Sequence, residues 1–201
     1  GHAPGIEMTT GPLGQGISHA VGFALGERLL HERFATAEFD PVGHFTYVVA
    51  SDGDIEEGIS SEAGSLAGHL GLGRLIAFYD ANHISIEGDT NLALSEDTAK
   101  RYEAYGWQVI QLGEDESVEA VEGAIAEAKA DSVRPTLIIV RTHIAFGSPN
   151  KVDTAGAHGA PLGDDEIKLT KEAYVFPSLE PFFVPDVVRD HYSDVAARGD
   201  A

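Results

Sequence analysis

The sequence predicts an α/β fold: a mostly parallel sheet with helices on both faces, incomplete at its N-terminus. Three observations lead there. Apolar, β-branched runs alternate with helical stretches along most of the chain. Those runs are continuous rather than alternating, as expected of strands buried on both faces. The chain also opens on "GHAPGIEMTTGPLGQG", a loop and helix start with no leading element and no initiator Met, which predicts that it begins inside a domain.

Taken in order, residues 12–34 read as a helix with Pro12 in its first turn, where a missing N–H costs nothing. Ser18, Gly22 and Gly26 recur every four residues there, a small-residue stripe best read as simple packing. "HFTYVVA" (44–50) is the first strand and "EGISSEAGSLAGHL" (57–70) a helix with small residues on one side. "RLIAFYD" (74–80) is the second strand, "EDTAKRYEAYG" (96–106) a helix capped by Ser95, and "WQVIQL" (107–112) the third strand. An amphipathic helix over 117–130 and the strand "PTLIIVRT" (135–142) follow. The Gly/Pro-rich segment 147–166 is long enough to carry function, and a helix over 164–173 leads into the tail.

A chain of 201 residues supports a substantial core, burying roughly 70% of its unfolded surface. Thirteen Lys and Arg against 33 Asp and Glu give a net charge of −20, which argues against nucleic acid or an anionic membrane as partner. The absence of cysteine excludes disulfides, thiolate metal sites and thiol nucleophiles. No signal sequence or membrane-spanning apolar run is evident, and the expected location is cytoplasmic.

The chemistry concentrates at two strand ends. "VVASDGDIEEG" (48–58) ends a buried run on Ser51-Asp52-Gly53 and adds Asp54, Glu56 and Glu57, which repel one another unless a positive charge sits among them. The second strand ends on Asp80-Ala81-Asn82, followed by His83-Ile84. Asp52 and Asn82 are 30 residues apart, one βαβ unit, so neighbouring strands would bring them to one rim. Ligands of open parallel sheets bind beyond that rim. A carboxylate, a carboxamide oxygen and a backbone carbonyl make a hard-oxygen site suited to Mg²⁺ or Ca²⁺, with phosphate oxygens completing the shell. Gly53 lets a ligand approach the backbone, and a helix beginning near Glu57 would offer N–H groups to an anion. Asp-Gly after a strand also serves as an ordinary turn, and a lone loop histidine such as His158 is ordinarily just that.

These residues resemble the thiamin diphosphate enzymes, whose cofactor motif runs from Gly-Asp-Gly to an Asn one βαβ unit later. The fuller resemblance is to the transketolase family. "TTGPLGQGI", "EGISSEAGSLAGHL", "LIAFYDANHISIEGDT", "RYEAYGW", "FGSPNK" and "AHGAPLGDDEI" match its segments in order, from about Ala3 to about Leu169. Ser51 stands where the family motif has its first Gly, as in an actinobacterial-type variant, and suggests a slightly altered turn.

The resemblance implies that Asp52, Asn82 and the Ile84 carbonyl hold the metal, while Gly53 and Asn82 touch the diphosphate. Gly11, Pro12 and Leu13 would line the cofactor's ring region, Leu13 as an apolar wedge. His158 would contact the diphosphate and the donor sugar and assist proton transfer there, as the catalytic residue of this chain. Glu57 matches a glutamate near the subunit interface, or simply answers a helix dipole, and His83 gains no role. The implied activity is transfer of a two-carbon ketol unit from a ketose phosphate to an aldose phosphate by a homodimer. The chain would be one partial diphosphate-binding domain, truncated at both ends and inactive without the pyrimidine-binding and C-terminal domains. Two alternatives stand beside this. One is another thiamin diphosphate enzyme, a deoxyxylulose-phosphate synthase or a dehydrogenase component, against which "FGSPNK" and "AHGAPLG" speak. The other is a non-catalytic metal-diphosphate binding module.

Overall fold

A computed structural model of the chain describes residues 3–113 and 117–199. The chain divides into two units, Gly1–His143 and Ile144–Ala201. In the first, helix α1 (Gln15–Phe34) precedes strand β1 (Thr46–Ser51), a short helix α2 (Asp52–Glu56), helix α3 (Gly58–Leu70) and strand β2 (Leu75–Asp80). A hairpin of two-residue strands, β3 (Ile84–Ser85) and β4 (Gly88–Asp89), leads to α4 (Thr98–Ala104), β5 (Gln108–Gly113), α5 (Val118–Ala130) and β6 (Thr136–Val140). The main sheet is parallel throughout, in the order β1-β2-β6-β5. Ser51 pairs with Asp80 and Asp80 with Val140, so three strands end on one rim.

Helix α1 buries Ile17, Ala20, Val21 and Ala24, a spacing that keeps one face on the sheet. With Ala67 of α3 and Tyr102 of α4 they pack over Ala50, Leu75, Ala77, Tyr79 and Leu137. On the opposite face, Ala124 and Ala128 of α5 cover Ile76, Ile138 and Val140. Leu75, Ile76, Leu137 and Ile138 have no exposed surface, and each stabilises the sheet by roughly 1.5–3 kcal/mol. Two-sided coverage does not extend to the edge strand, where Tyr47 and Val49 are 49% and 73% exposed on the α5 face.

Several local expectations change. Helix α1 begins at Gln15, because Gly14 takes a left-handed φ of 75° that turns the chain; Pro12 contributes only a carbonyl, accepting from Gln15 N at 3.3 Å. Helix α4 is capped by Asp97, whose carboxylate accepts from Lys100 N at 3.1 Å, not by Ser95. The stripe on α1 is no packing surface among the described residues: a Cβ on Gly22 or Gly26 would meet nothing within 4 Å. The small side of α3 does pack. A Cβ on Gly68 would fall 1.8 Å from the Tyr105 carbonyl oxygen, and Trp107 Nε1 donates to the Gly64 carbonyl at 2.8 Å.

The second unit holds a one-turn 3₁₀ segment (Ala155–Ala157), helix α6 (Asp164–Ala173) and helix α7 (Asp186–Gly199). No described helix is long and apolar enough to cross a membrane.

Candidate functional site

The rim where β1 and β2 end gathers most of the expected residues. The chain passes from β1 directly into α2, so Asp52 is the first residue of a helix and is only 2% exposed. Its Oδ1 accepts from Tyr79 Oη at 2.6 Å and its Oδ2 from His83 N at 3.0 Å. Burial pushes the Tyr79 hydroxyl far above its ordinary pKa, and its bond to Asp52 adds to that, so Tyr79 remains a donor. Asn82 Oδ1 accepts from Ile84 N at 2.9 Å. Between them His83 sits at φ 64°, a left-handed conformation uncommon for a residue with a side chain. The Asp52 carboxylate on one side and Thr90 N, donating to the His83 carbonyl at 3.0 Å, on the other hold it there. Both backbone groups of His83 are thus engaged.

The glycine-proline loop reaches the same rim. A Cβ on Gly53 would lie 3.1 Å from Leu13 Cδ1, so Leu13 rests over the bare glycine backbone with half its surface exposed. Gly14 N donates to Asp54 Oδ1 at 2.8 Å and ties the loop in place, while Gly11 and Pro12 stay exposed. The other Asp54 oxygen accepts from Ser51 N at 3.0 Å. Ser51 itself is extended (φ −112°, ψ −177°), a conformation open to any residue, so this turn does not require glycine.

The expected helix start near Glu57 is observed, with α3 beginning at Gly58, and a break there separates it from the short α2. Ser60 Oγ donates to the Asp54 carbonyl at 2.5 Å and Arg101 Nη2 to the Ile55 carbonyl at 3.0 Å, taking acceptors a continuous helix would use. Glu57 is exposed and occupies the N-cap position of α3 without a capping bond from its side chain.

Asp52 has the character a cation site needs. It is a buried carboxylate with no Lys or Arg paired to it among the described residues, and its two hydrogen bonds leave acceptor capacity free. Among the described residues no three His, Asp or Glu side chains converge as a metal cluster, so any cation held beside Asp52 would draw its other protein donors from amide and carbonyl oxygens. The oxygen donors present therefore fit a hard divalent ion that keeps positions for phosphate. A cleft of about 420 Å³, lined by Asp52, Tyr79, His83, Thr90, Asp97 and Gln111, opens beside them.

His158 belongs to the second unit. It is exposed and follows the 3₁₀ turn, its N donating to the Ala155 carbonyl at 3.0 Å. Glu166, 8% exposed in the first turn of α6, organises the preceding loop. It accepts from Ser148 Oγ, from Asn150 N at 2.8 Å and from Asn150 Nδ2 at 2.9 Å. The bond from Ser148, with those from Asn150, holds its carboxyl below the usual carboxylate range. Sequence reasoning missed Tyr79 and Glu166. The signal for Tyr79 was a hydroxyl at the end of an otherwise apolar strand, since a buried Tyr needs a partner for it.

The sequence model of the family described as "Transketolase, thiamine diphosphate binding domain" matches residues 1–201. This chain belongs to the transketolase family. It is 53% identical to the transketolase of Geobacillus stearothermophilus over 192 residues, covering 96% of this chain and 29% of that protein. Against the Bacillus subtilis transketolase the identity is 51%, with the same shares covered. A transketolase from Pichia stipitis, solved in complex with sedoheptulose-7-phosphate, superposes with a TM-score of 0.90 at 45% identity, over 98% of this chain and 29% of that one. The transketolase of Leishmania mexicana gives a TM-score of 0.87 at 42% identity, over 98% and 30%. The chain thus spans under a third of the length of these relatives. The parallel sheet with its covering helices is the thiamin diphosphate-binding fold of this family.

Proposed function

We propose that this chain is the diphosphate- and metal-holding part of a longer transketolase. In this reading Asp52, the Asn82 carboxamide and the Ile84 carbonyl hold Mg²⁺ or Ca²⁺, and Gly53 and Asn82 meet the diphosphate. Leu13, with Gly11 and Pro12, supports the cofactor ring from the apolar side. His158 contacts the diphosphate and the donor sugar, where its ring nitrogen can hold or pass a proton. Thiamin diphosphate, when bound, supplies the electron sink for moving a two-carbon ketol unit from a ketose phosphate to an aldose phosphate. The contribution of these residues is to bind, to orient and to keep water from the reacting end.

The observation that carries the reading is the buried Asp52 carboxylate, joined through His83 N to the turn that begins at Asn82. The names of the relatives support the ketol-transfer activity and its sugar phosphate substrates. A cytoplasmic homodimer with Glu57 near the subunit interface is part of the same proposal. The pyrimidine-binding and C-terminal domains would come from outside these 201 residues, and the chain alone is expected not to turn over sugar phosphates. Calorimetric titration of thiamin diphosphate, with and without Mg²⁺, tests the site. Binding that needs Mg²⁺ and disappears in Asp52→Ala is expected; equal binding by the variant would refute the assignment.

A further inference from the structure

We infer that Arg141 is a positioning residue, reaching from the end of β6 to fix the backbone of the Asn82–His83–Ile84 turn. The inference rests on the metal reading of that turn. The last rung between the two strands is the bond from Ala81 N to the Val140 carbonyl, at 2.9 Å. Past it the β2 chain leaves the sheet, and the carbonyls of Ala81 and Asn82 lose their ladder. Arg141 Nη1 takes both, at 3.2 Å each, and also donates to the Thr142 carbonyl. The base of the arginine is itself fixed, since Arg141 N donates to the Gly113 carbonyl at 3.0 Å. The next residue repeats the link, Thr142 Oγ1 donating to Asp80 Oδ1.

The turn needs such a grip. His83 is left-handed at φ 64°, a state a side-chain-bearing residue keeps only where its surroundings over-determine it. Asp52 holds the His83 amide, Thr90 holds its carbonyl, and Arg141 holds the two carbonyls just before it. A guanidinium beside a cation site opposes the cation by charge alone, so its presence calls for another function. The two N–H groups of Nη1, met by the carbonyls of Ala81 and Asn82, supply it: these hydrogen bonds aim the peptide planes that lead into the Asn82 and Ile84 oxygens. Outer partners of this kind orient ligands they do not replace.

Two measurements on the chain test this, using Arg141→Met, which keeps the stem and removes the donors, and Arg141→Lys, whose ammonium keeps three donors. In the ligand-free chain, Arg141→Met is expected to speed amide exchange at His83 and Ile84 by about tenfold or more while Ile138 in the core is unchanged. In calorimetry with Mg²⁺, the same variant is expected to weaken thiamin diphosphate binding by about tenfold, with Arg141→Lys restoring most of it. Unchanged exchange at His83 in Arg141→Met would overturn the inference, as would equal acceleration at His83 and Ile138, which marks general destabilisation. A wild-type chain that fails to bind thiamin diphosphate would count against the metal reading, and the exchange measurement would still decide the role of Arg141.

Discussion

Replacing Tyr79 by Phe isolates one hydrogen bond at the rim. The ring keeps its place in the core, so no cavity forms, and only the 2.6 Å bond to Asp52 Oδ1 is lost. The carboxylate is 2% exposed, so water does not freely replace the missing donor. A hydrogen bond to a charged group contributes about 1.5–3 kcal/mol, and the loss should sit near ~2 kcal/mol because His83 N still serves the other oxygen. For a chain of this size that lowers Tm by about 4–8 °C. The carboxylate left short of a donor would then gain more from a cation. Mg²⁺ with thiamin diphosphate should therefore raise the Tm of Tyr79→Phe by more than it raises the wild type. Urea unfolding and thermal melts, each with and without the ligands, measure both effects. A stability loss under about 0.5 kcal/mol would show that the bond to Asp52 contributes little. A ligand shift no larger than that of the wild type would refute the compensation.

Three further outcomes follow from the packing and the charges. Gly68→Ala should destabilise the first unit by about 1–3 kcal/mol or more, since its Cβ would collide with the Tyr105 carbonyl. Gly22→Ala, with open space around it in α1, should stabilise the chain by about 0.5–1 kcal/mol in the same denaturation assay. In the second unit, the folded pKa of Glu166 lies below its ordinary value, so the Ser148–Asn150 clasp contributes fully above the ordinary carboxylate pKa. That contribution fades as pH falls through the lowered value. Amide exchange at Asn150, followed during acidification, should accelerate in that window, and Glu166→Gln should remove the pH dependence.

Much of the rim was legible because its causes are local. Two apolar runs one βαβ unit apart would bring their polar ends to one rim if they were neighbours, and β1 does pair with β2. The same reasoning placed Leu13 near the cofactor site only through resemblance; its contact with Gly53 depends on the bond from Gly14 to Asp54, 40 residues away. Helix boundaries failed where a single group decided them. Asp97 outcompetes Ser95 as the cap, and the left-handed Gly14 delays the start of α1 to Gln15. The acidic cluster raised the question of a missing positive charge. The structure answers it first with neutral donors: Tyr79 and two backbone N–H groups of the turns for Asp52 and Asp54, with Gly14 closing the set.

By itself the sequence determined the parallel sheet, the family and the nearness of the strand ends that carry Asp52 and Asn82, because periodicity, composition and motif order are properties of neighbouring residues. Only the tertiary structure decided that Tyr79 donates to Asp52 across 27 residues and that Arg141 grips a turn 59 and 60 residues before it. A hydrogen bond forms wherever folding brings a donor and an acceptor within about 3 Å, and no spacing in the chain encodes that meeting.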